Sequence, residues 1–245
     1  MIISLSEAPV GKLLLVVEVG NERLARELGK IGIREGQELI RLEENPAALQ
    51  PVKLRGPQGE LILSGNMASG LVGHLDSGQI VPLLEMKPGD KGHLEGVTCV
   101  PDSALAETYH LLGLKENGLV EFIHKQPSME YAILVQGKKR TSLPGGMAAK
   151  LWGESQGRKL QFAMASAGKE FRLEKILGGR SARERITGMG LTPGSTLVLE
   201  AVKPAQTVRL ATKDPVAVTT PENLRFWLPP QAANLLMVML KSDDS

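Results

Sequence analysis

Apolar residues recur at helical spacing in three places along the chain. In each place three apolar side chains stand at positions i, i+4 and i+7, a spacing that puts them on one face of a short helix. A glycine and an aliphatic residue follow each set directly. The pattern predicts one supersecondary unit that occurs three times. The three sets are Leu24/Leu28/Ile31 before Gly32, Leu105/Tyr109/Leu112 before Gly113, and Ala182/Ile186/Met189 before Gly190.

The repetition extends to both sides of these predicted helices. Upstream, Leu5, Leu83 and Phe162 each stand six positions before a glycine that precedes an apolar run. Downstream, segment 67–73 (MASGLVG) matches 147–153 (MAAKLWG), and a degenerate third copy is expected at 222–227. Thirteen residues after the start of each such segment an apolar run begins, at Ile80, Leu160 and Leu235. We therefore expect the hydrophobic C-terminus to be the last strand of copy three.

Each copy is predicted to contain one helix and five short strands. The β-favouring run 13–19 is followed by Asn21, which can cap the first helix. In copy three Ser181 is the expected N-cap, with Glu184 at capping-box spacing. The glycine after each helix suits a left-handed helix end, and Pro193-Gly194 suits a type II turn. Further strands are expected at 38–42, 52–55, 61–63, 119–123, 131–135, 140–143, 196–200, 207–210 and 216–218.

Length and composition favour three small domains. A chain of 245 residues gives units of about 80 residues, small but able to fold. With 27 glycines, 15 prolines and 3% aromatic residues, the cores should be aliphatic and the turns frequent. We expect a mostly β protein of three tandem, partly open small barrels at 1–84, 85–164 and 165–245, joined without flexible linkers.

The net charge of +2 is too small to predict nucleic acid as a partner, and the low aromatic content gives few stacking platforms. A single cysteine, Cys99, excludes an intramolecular disulfide and suits a reducing compartment. The sequence shows no signal peptide and no apolar run long enough to span a bilayer. We therefore expect a cytoplasmic protein without direct membrane insertion.

Two segments carry a resemblance to a known family. The succession Leu83-x-x-Met86-Lys87-Pro88-Gly89 and, above all, segment 185–194 (RITGMGLTPG) resemble the ferrous-iron transport protein A family, FeoA. The match is closest in copy three, because Glu27 and Thr108 stand where copy three has Arg185. The resemblance implies SH3-like barrels, no catalytic activity, and a cytosolic accessory role for a membrane ferrous-iron permease with a GTP-binding domain. Typical family members have a single barrel.

Two pairs of residues are candidates for metal ligands. His93 and Glu95 share one face of a predicted strand, and Glu107 and His110 share one face of a predicted helix. Each pair offers two ligands to a divalent metal, ferrous iron or manganese, and becomes a site only if a third ligand such as Cys99 or Asp102 folds alongside. Without a third ligand each pair has a surface or structural role, and no cofactor is otherwise expected.

Enzymatic chemistry is not indicated by the remaining motifs. The glycines of 188–194 have the wrong spacing for a dinucleotide loop and follow a helix, whereas phosphate binds at a helix N-terminus. His74, Asp76 and Ser77 are residue types of a catalytic triad, but they lie within four residues and a triad is assembled from separate elements. We expect these three to lie in a solvated loop.

Five arginines on or near the helices of copies one and three are candidates for partner binding: Arg23, Arg26, Arg180, Arg183 and Arg185. They form either the solvated face of an amphipathic helix or an electropositive docking patch. The main hypothesis is a non-enzymatic protein that docks onto the GTP-binding part of the iron permease. The alternatives are a metal-binding regulatory module that acts on a repressor or other effector, and a scaffold that self-associates through exposed strand edges.

Overall fold

The structure is a computed structural model that describes residues 2–43, 50–97, 103–205, 216–221 and 225–241, and in them the protein is mostly β. Its strands in chain order are β1 Ile2–Ser4, β2 Leu13–Val19, β3 Glu38–Arg41, β4 Val52–Gly56, β5 Gly59–Leu63, β6 Leu71–Leu75, β7 Ile80–Pro82, β8 Lys91–Val97, β9 Leu119–Lys125, β10 Met129–Val135, β11 Lys139–Pro144, β12 Leu151–Ser155, β13 Arg158–Gln161, β14 Glu170–Ile176, β15 Thr196–Pro204, β16 Val216–Thr219, β17 Arg225–Leu228 and β18 Leu236–Leu240.

Longer and shorter helices alternate along the described chain. They are α1 Glu22–Lys30, α2 Gly65–Ala68, α3 Ala104–Leu111, α4 Gly145–Ala148, α5 Arg180–Gly188 and α6 Pro230–Leu235. Helices α1, α3 and α5 are the three that the apolar spacing predicts. Helices α2 and α4 are single turns formed by the two methionine segments, and 3-10 turns follow at Leu83–Glu85 and Phe162–Met164.

The strands form three six-stranded antiparallel sheets with one common strand order. Sheet A has the order β1-β18-β2-β3-β16-β17, sheet B the order β7-β6-β8-β9-β4-β5, and sheet C the order β13-β12-β14-β15-β10-β11. Each sheet has its own cluster of buried apolar residues. This agreement among the sheets is what three copies of one backbone unit produce.

The sheets are out of phase with the predicted segments 1–84, 85–164 and 165–245. Sheet B contains β4 to β9 and sheet C contains β10 to β15, whereas sheet A joins β16 to β18 with β1 to β3. Ile3 of β1 stands opposite Val238 of β18, so the two ends of the chain share one sheet. A repeated sequence reveals the period of a unit but not its phase, which explains the difference.

The mostly β class is confirmed, whereas a closed barrel is not found. Within the described residues the first and last strands of each sheet are not paired with each other. The SH3-like fold therefore stays a prediction.

Three of the predicted local signals at helix ends and turns are confirmed. Asn21 caps α1, because its side chain accepts a hydrogen bond from the backbone N–H of Leu24 at 2.9 Å. The glycines after α1, α3 and α5 have φ angles of +85°, +72° and +86°, the left-handed conformation that ends a helix. The backbone N–H of Ser195 donates to the carbonyl of Thr192 at 2.9 Å across the predicted Pro-Gly turn.

Two predictions about copy three are wrong. Helix α5 begins at Arg180 with Gly179 as N-cap, so Ser181 does not cap it, and the Glu184 carboxylate accepts from Arg180 Nε at 2.6 Å instead. The counterpart of α2 and α4 is α6 and not 222–227, since β17 already occupies 225–228 as the partner of β16. The predicted C-terminal strand exists as β18, but it takes the place of β6 and β12. The predicted strand at 207–210 lies outside the described residues.

Polar contacts fix neighbouring sheets against each other. The side chain of Gln161, at the end of β13 in sheet C, is buried and donates to the carbonyl oxygens of Ile62 at 2.7 Å and Ala149 at 2.6 Å. It also accepts from the backbone N–H of Ile62 at 2.8 Å. Lys30 of α1 donates to Glu116, next to sheet B, at 2.6 Å. The sheets are therefore held in a defined arrangement by specific bonds as well as by apolar packing.

Candidate functional site

Two neighbouring strands of sheet B bring three ligand-type side chains together. His93 on β8 stands directly opposite His74 on β6, and Glu95 follows two residues after His93. Leu94 between them is fully buried, so His93 and Glu95 point to the outer face of the sheet. His93 and Glu95 share a face of β8, and His74 joins them there. Cys99 and Asp102, the third ligands considered from the sequence, lie outside the described residues.

The polar atoms of this His–Glu cluster, which we define as His74, His93 and Glu95, converge on one point. Glu95 Oε2 lies 3.3 Å from His74 Nδ1 and 3.7 Å from His93 Nε2. The two imidazole rings are 4.9 Å apart between centroids and tilted by 49°. The side chains are 34%, 37% and 28% exposed, respectively. All three donor atoms lie within 4.8 Å of one another, the one such group of three within the described residues.

Backbone irregularities position the cluster. The register between β6 and β8 shifts between Val72 and Gly73, which leaves Glu95 as the extra residue of a β-bulge. Bulges bend a strand and redirect side chains. At Gly92, directly before His93, an added Cβ would lie 2.1 Å from the carbonyl oxygen of His74. Glycine at this position therefore lets the two strands approach closely enough for the imidazoles to meet.

The second predicted metal pair does not form a site in the described residues. Glu107 and His110 lie exposed on α3. The Glu107 carboxylate is 3.9 Å from Lys175 Nζ and 4.0 Å from an Arg183 nitrogen, so its neighbours are cations rather than ligands. No third ligand joins this pair among the residues the structure describes.

Sequence reasoning placed His74 in a solvated loop and so missed its place in the His–Glu cluster. The residue lies in β6, and Asp76 and Ser77 form the turn that follows. Val72 and His74 share one face of β6, yet Val72 is buried and His74 is partly exposed. Apolar and polar residues therefore do not alternate regularly along this strand, which weakens the strand signal. Its partner strand β8 is distant in the chain, and the pairing cannot be found from local spacing.

The predicted arginines of copy three lie on a basic surface around α5. We define this α5 surface as Lys150, Lys175, Arg180, Arg183 and Arg185. Arg180 is 92% exposed and pairs with Glu184. Arg183 and Lys175 share one carboxylate, that of Glu107 on α3, at distances of 4.0 and 3.9 Å. Five cations thus face two carboxylates.

Lys150 lies in the region of the α5 surface where positive charge is in excess. Its side chain is partly buried, with its Cδ and Cε 3.8 Å from the position of a Cβ on Gly178. Burial, and after it the positive charge of Arg185, lowers the pKa of the Lys150 ammonium to about 8. Neither Lys150 nor Arg185 has an acidic partner within the described residues. An uncompensated pair of cations at a surface favours an anionic partner.

The arginines of copy one have a different setting. Arg23 and Arg26 are exposed on α1, which belongs to sheet A and also carries Glu22 and Glu27. Lys30 at the end of this helix lies 3.2 Å from Glu27 and 2.6 Å from Glu116, and the hydrogen bond to Glu116 is the main cause of its raised pKa. Positive charge on α1 is therefore balanced by carboxylates to a greater extent than the charge around α5.

A cleft with a volume of about 450 Å³ lies beside the β12–β13 hairpin. It is open and lined by Ser155, Gln156, Arg158, Leu160, Met164 and Ser166. This lining contains no histidine, carboxylate or cysteine that could act as a general base.

Comparison with protein-family models, with curated proteins and with solved structures found no match in any of the three. None of the helices in the described part of the chain combines the length and the apolar character that crossing a bilayer requires.

Proposed function

We propose that this protein is a non-catalytic interaction protein of three SH3-like modules that docks through its α5 surface onto an acidic surface of a protein partner. The observation that carries the proposal is the uncompensated charge around α5, where Lys150 and Arg185 lie close together without an acidic partner among the described residues. Arginine is over-represented among the residues that dominate protein interfaces. Opposite charge on the partner would speed association and fix its orientation.

The FeoA resemblance suggests the identity of the partner. It is closest in segment 185–194, the residues that end α5 and form the turn after it. We propose that the partner is the GTP-binding part of a membrane ferrous-iron permease and that docking takes place in the cytoplasm. Binding would favour one conformation of the partner, because a ligand shifts an equilibrium toward the state it binds better.

Titration of the cytosolic domain of such a permease with the full chain tests this proposal, in both nucleotide states. We expect saturable binding that weakens as the salt concentration rises. Affinity should fall about tenfold or more in R180E/R183E/R185E, because the charges of the α5 surface attract the acidic surface of the partner. The matched control is R23E/R26E on α1, which should bind like the wild type.

Two outcomes would overturn the proposal. One is the absence of affinity in either nucleotide state. The other is an equal loss of affinity in the α1 control, because that result would reflect general charge and not the α5 surface.

A further inference from the structure

The outer face of sheet B holds a set of side chains that docking through α5 does not use. We infer that the His–Glu cluster binds one divalent transition-metal ion. The inference rests on three donor groups from two strands whose polar atoms lie within 4.8 Å of one another. It is independent of the proposed docking function, because the cluster belongs to sheet B and α5 belongs to sheet C.

The spacing of the donor atoms fits a metal ion. Metal–ligand bonds of about 2.0–2.2 Å in a tetrahedral site place the ligand atoms about 3.3–3.6 Å apart. Glu95 Oε2 is 3.3 Å from His74 Nδ1 and 3.7 Å from His93 Nε2. The third pair, the nitrogens of the two imidazoles, lies within 4.8 Å. Side-chain shifts of up to about 1 Å would therefore bring three ligands to bonding distance of one ion.

The donor types select the class of metal. Two imidazole nitrogens and one carboxylate suit zinc, ferrous iron, manganese and their first-row neighbours. Calcium and magnesium prefer oxygen ligands and are disfavoured here. Three protein ligands leave at least one coordination position open, and the partial exposure of the three side chains, 28–37%, lets solvent reach it.

Apolar residues border the open side of the cluster. Leu119 on β9 stands opposite His93 and is 71% exposed, and Ile80 on β7 stands opposite His74. A bound metal ion would thus lie in a row of side chains that crosses four strands. Water or a ligand atom from another molecule would fill the open position. The metal-binding regulatory module, the alternative from the sequence, would then have its metal site on sheet B.

A surface ion pair is the competing explanation for the same contacts. It needs one histidine for one carboxylate, whereas here both imidazoles approach the same carboxylate oxygen. The side chains of the cluster make no hydrogen bond to other groups in the described residues, so their donor atoms are available. Metal binding and an ion pair predict different results in a titration with metal.

Calorimetric titration of the full chain with manganese, zinc and, without oxygen, ferrous iron tests the inference. We expect one equivalent to bind in the wild type, and affinity to fall about tenfold or more in each of H74Q, H93Q and E95Q, because each removes one of three ligands. The control is H110Q, a histidine on α3 outside the cluster, which should bind like the wild type. Circular dichroism checks that each variant is folded.

A measurement on the unmodified protein keeps the test independent of folding in the variants. The chain has four histidines, and manganese should broaden the imidazole NMR signals of His74 and His93 before those of His110 and His124. Absence of saturable binding, binding that the three variants leave unchanged, or uniform broadening of all four histidines would overturn the inference. R180E/R183E/R185E should retain metal binding, which separates this inference from the docking proposal.

Discussion

The outer faces of the three sheets have the same backbone and three different sets of side chains. In every sheet the register between the second and third strands shifts at the same place, so that one residue of the third strand forms a bulge. The residues at equivalent positions are His74, His93 and Glu95 in sheet B, Glu154, Arg172 and Glu174 in sheet C, and Met239, Leu15 and Val17 in sheet A.

The three sets differ in what they can do. In sheet C the Glu174 carboxylate is already paired with Lys159 on β13, two strands away. In sheet A the corresponding positions are apolar and Met239 is exposed. In sheet B alone of the three do the equivalent positions offer two imidazoles and a carboxylate. The comparison teaches that the repeat determines the backbone geometry, while substitutions at shared positions determine the chemistry of each face.

The largest expected effect on folding comes from cutting the chain either at the boundaries of the sheets or at the boundaries predicted from the sequence. A fragment of residues 50–126 contains all six strands of sheet B, whereas residues 1–84 contain β4 to β7 without their central partners β8 and β9. We expect cooperative thermal unfolding for 50–126 and none for 1–84, measured by circular dichroism and NMR dispersion. The reverse result would show that the sequence-predicted boundaries describe the folding units.

Replacement of Gly92 by alanine should distort the His–Glu cluster through the backbone. The new Cβ would lie 2.1 Å from the His74 carbonyl oxygen, so β6 and β8 must separate. We expect a loss of about 3 kcal/mol in the free energy of unfolding, at the upper end for overpacking, measured by urea denaturation. Metal affinity should fall in the same variant.

The control for this change is G188A on α5, where an added Cβ meets nothing within 4 Å. Alanine in a helix should stabilise the protein by about 0.5–1 kcal/mol. A G92A protein as stable as the wild type, with unchanged metal affinity, would contradict the positional role of Gly92.

Replacement of Lys150 should change the free energy of unfolding by a smaller amount, and that amount should depend on pH. Its counterpart in sheet B is Gly70, where Tyr109 fills the space: an added Cβ there would lie 2.8 Å from the tyrosine hydroxyl. Because the pKa of Lys150 falls to about 8 on folding from an ordinary 10.5, the unfolded chain binds more protons between these values. The stability contribution of Lys150 therefore rises with pH across this window.

The variant K150M should be more stable than the wild type below pH 8, and the difference should shrink as pH approaches 10.5. Part of the side chain remains in solvent, so we expect a difference on the order of 1 kcal/mol. Urea denaturation at several pH values measures it, with K169M as an exposed control. A difference independent of pH would show that packing, not charge, distinguishes the two side chains.

Sequence signals predicted the local fold well wherever a residue acts on its own backbone. Asn21 caps α1 and Gly194 turns the chain as expected, because capping and positive φ are properties of a few adjacent residues. The phase of the modules was not predictable, since it depends on β1 pairing with β18 at the far end of the chain. Serine is a residue type that favours the N-cap position, but Ser181 already lies inside α5, whose N-cap is Gly179.

The candidate metal cluster was predictable in part. His93 and Glu95 share a strand face by simple alternation, which the sequence shows. Adding His74 requires the pairing of β6 with β8 and the position of a bulge, and both depend on tertiary packing. Glu107 and His110 have equally good local spacing, yet α3 places Glu107 beside cations.

Transplanting the cluster into sheet C tests most directly whether the side chains at shared backbone positions determine the chemistry of each face. The variant E154H/K159I/R172H keeps Glu174 and reproduces the sheet B residues His74, Ile80 and His93 at their counterparts in sheet C. Calorimetry with zinc should then show two bound equivalents where the wild type shows one. A folded variant that still binds a single equivalent would contradict the account.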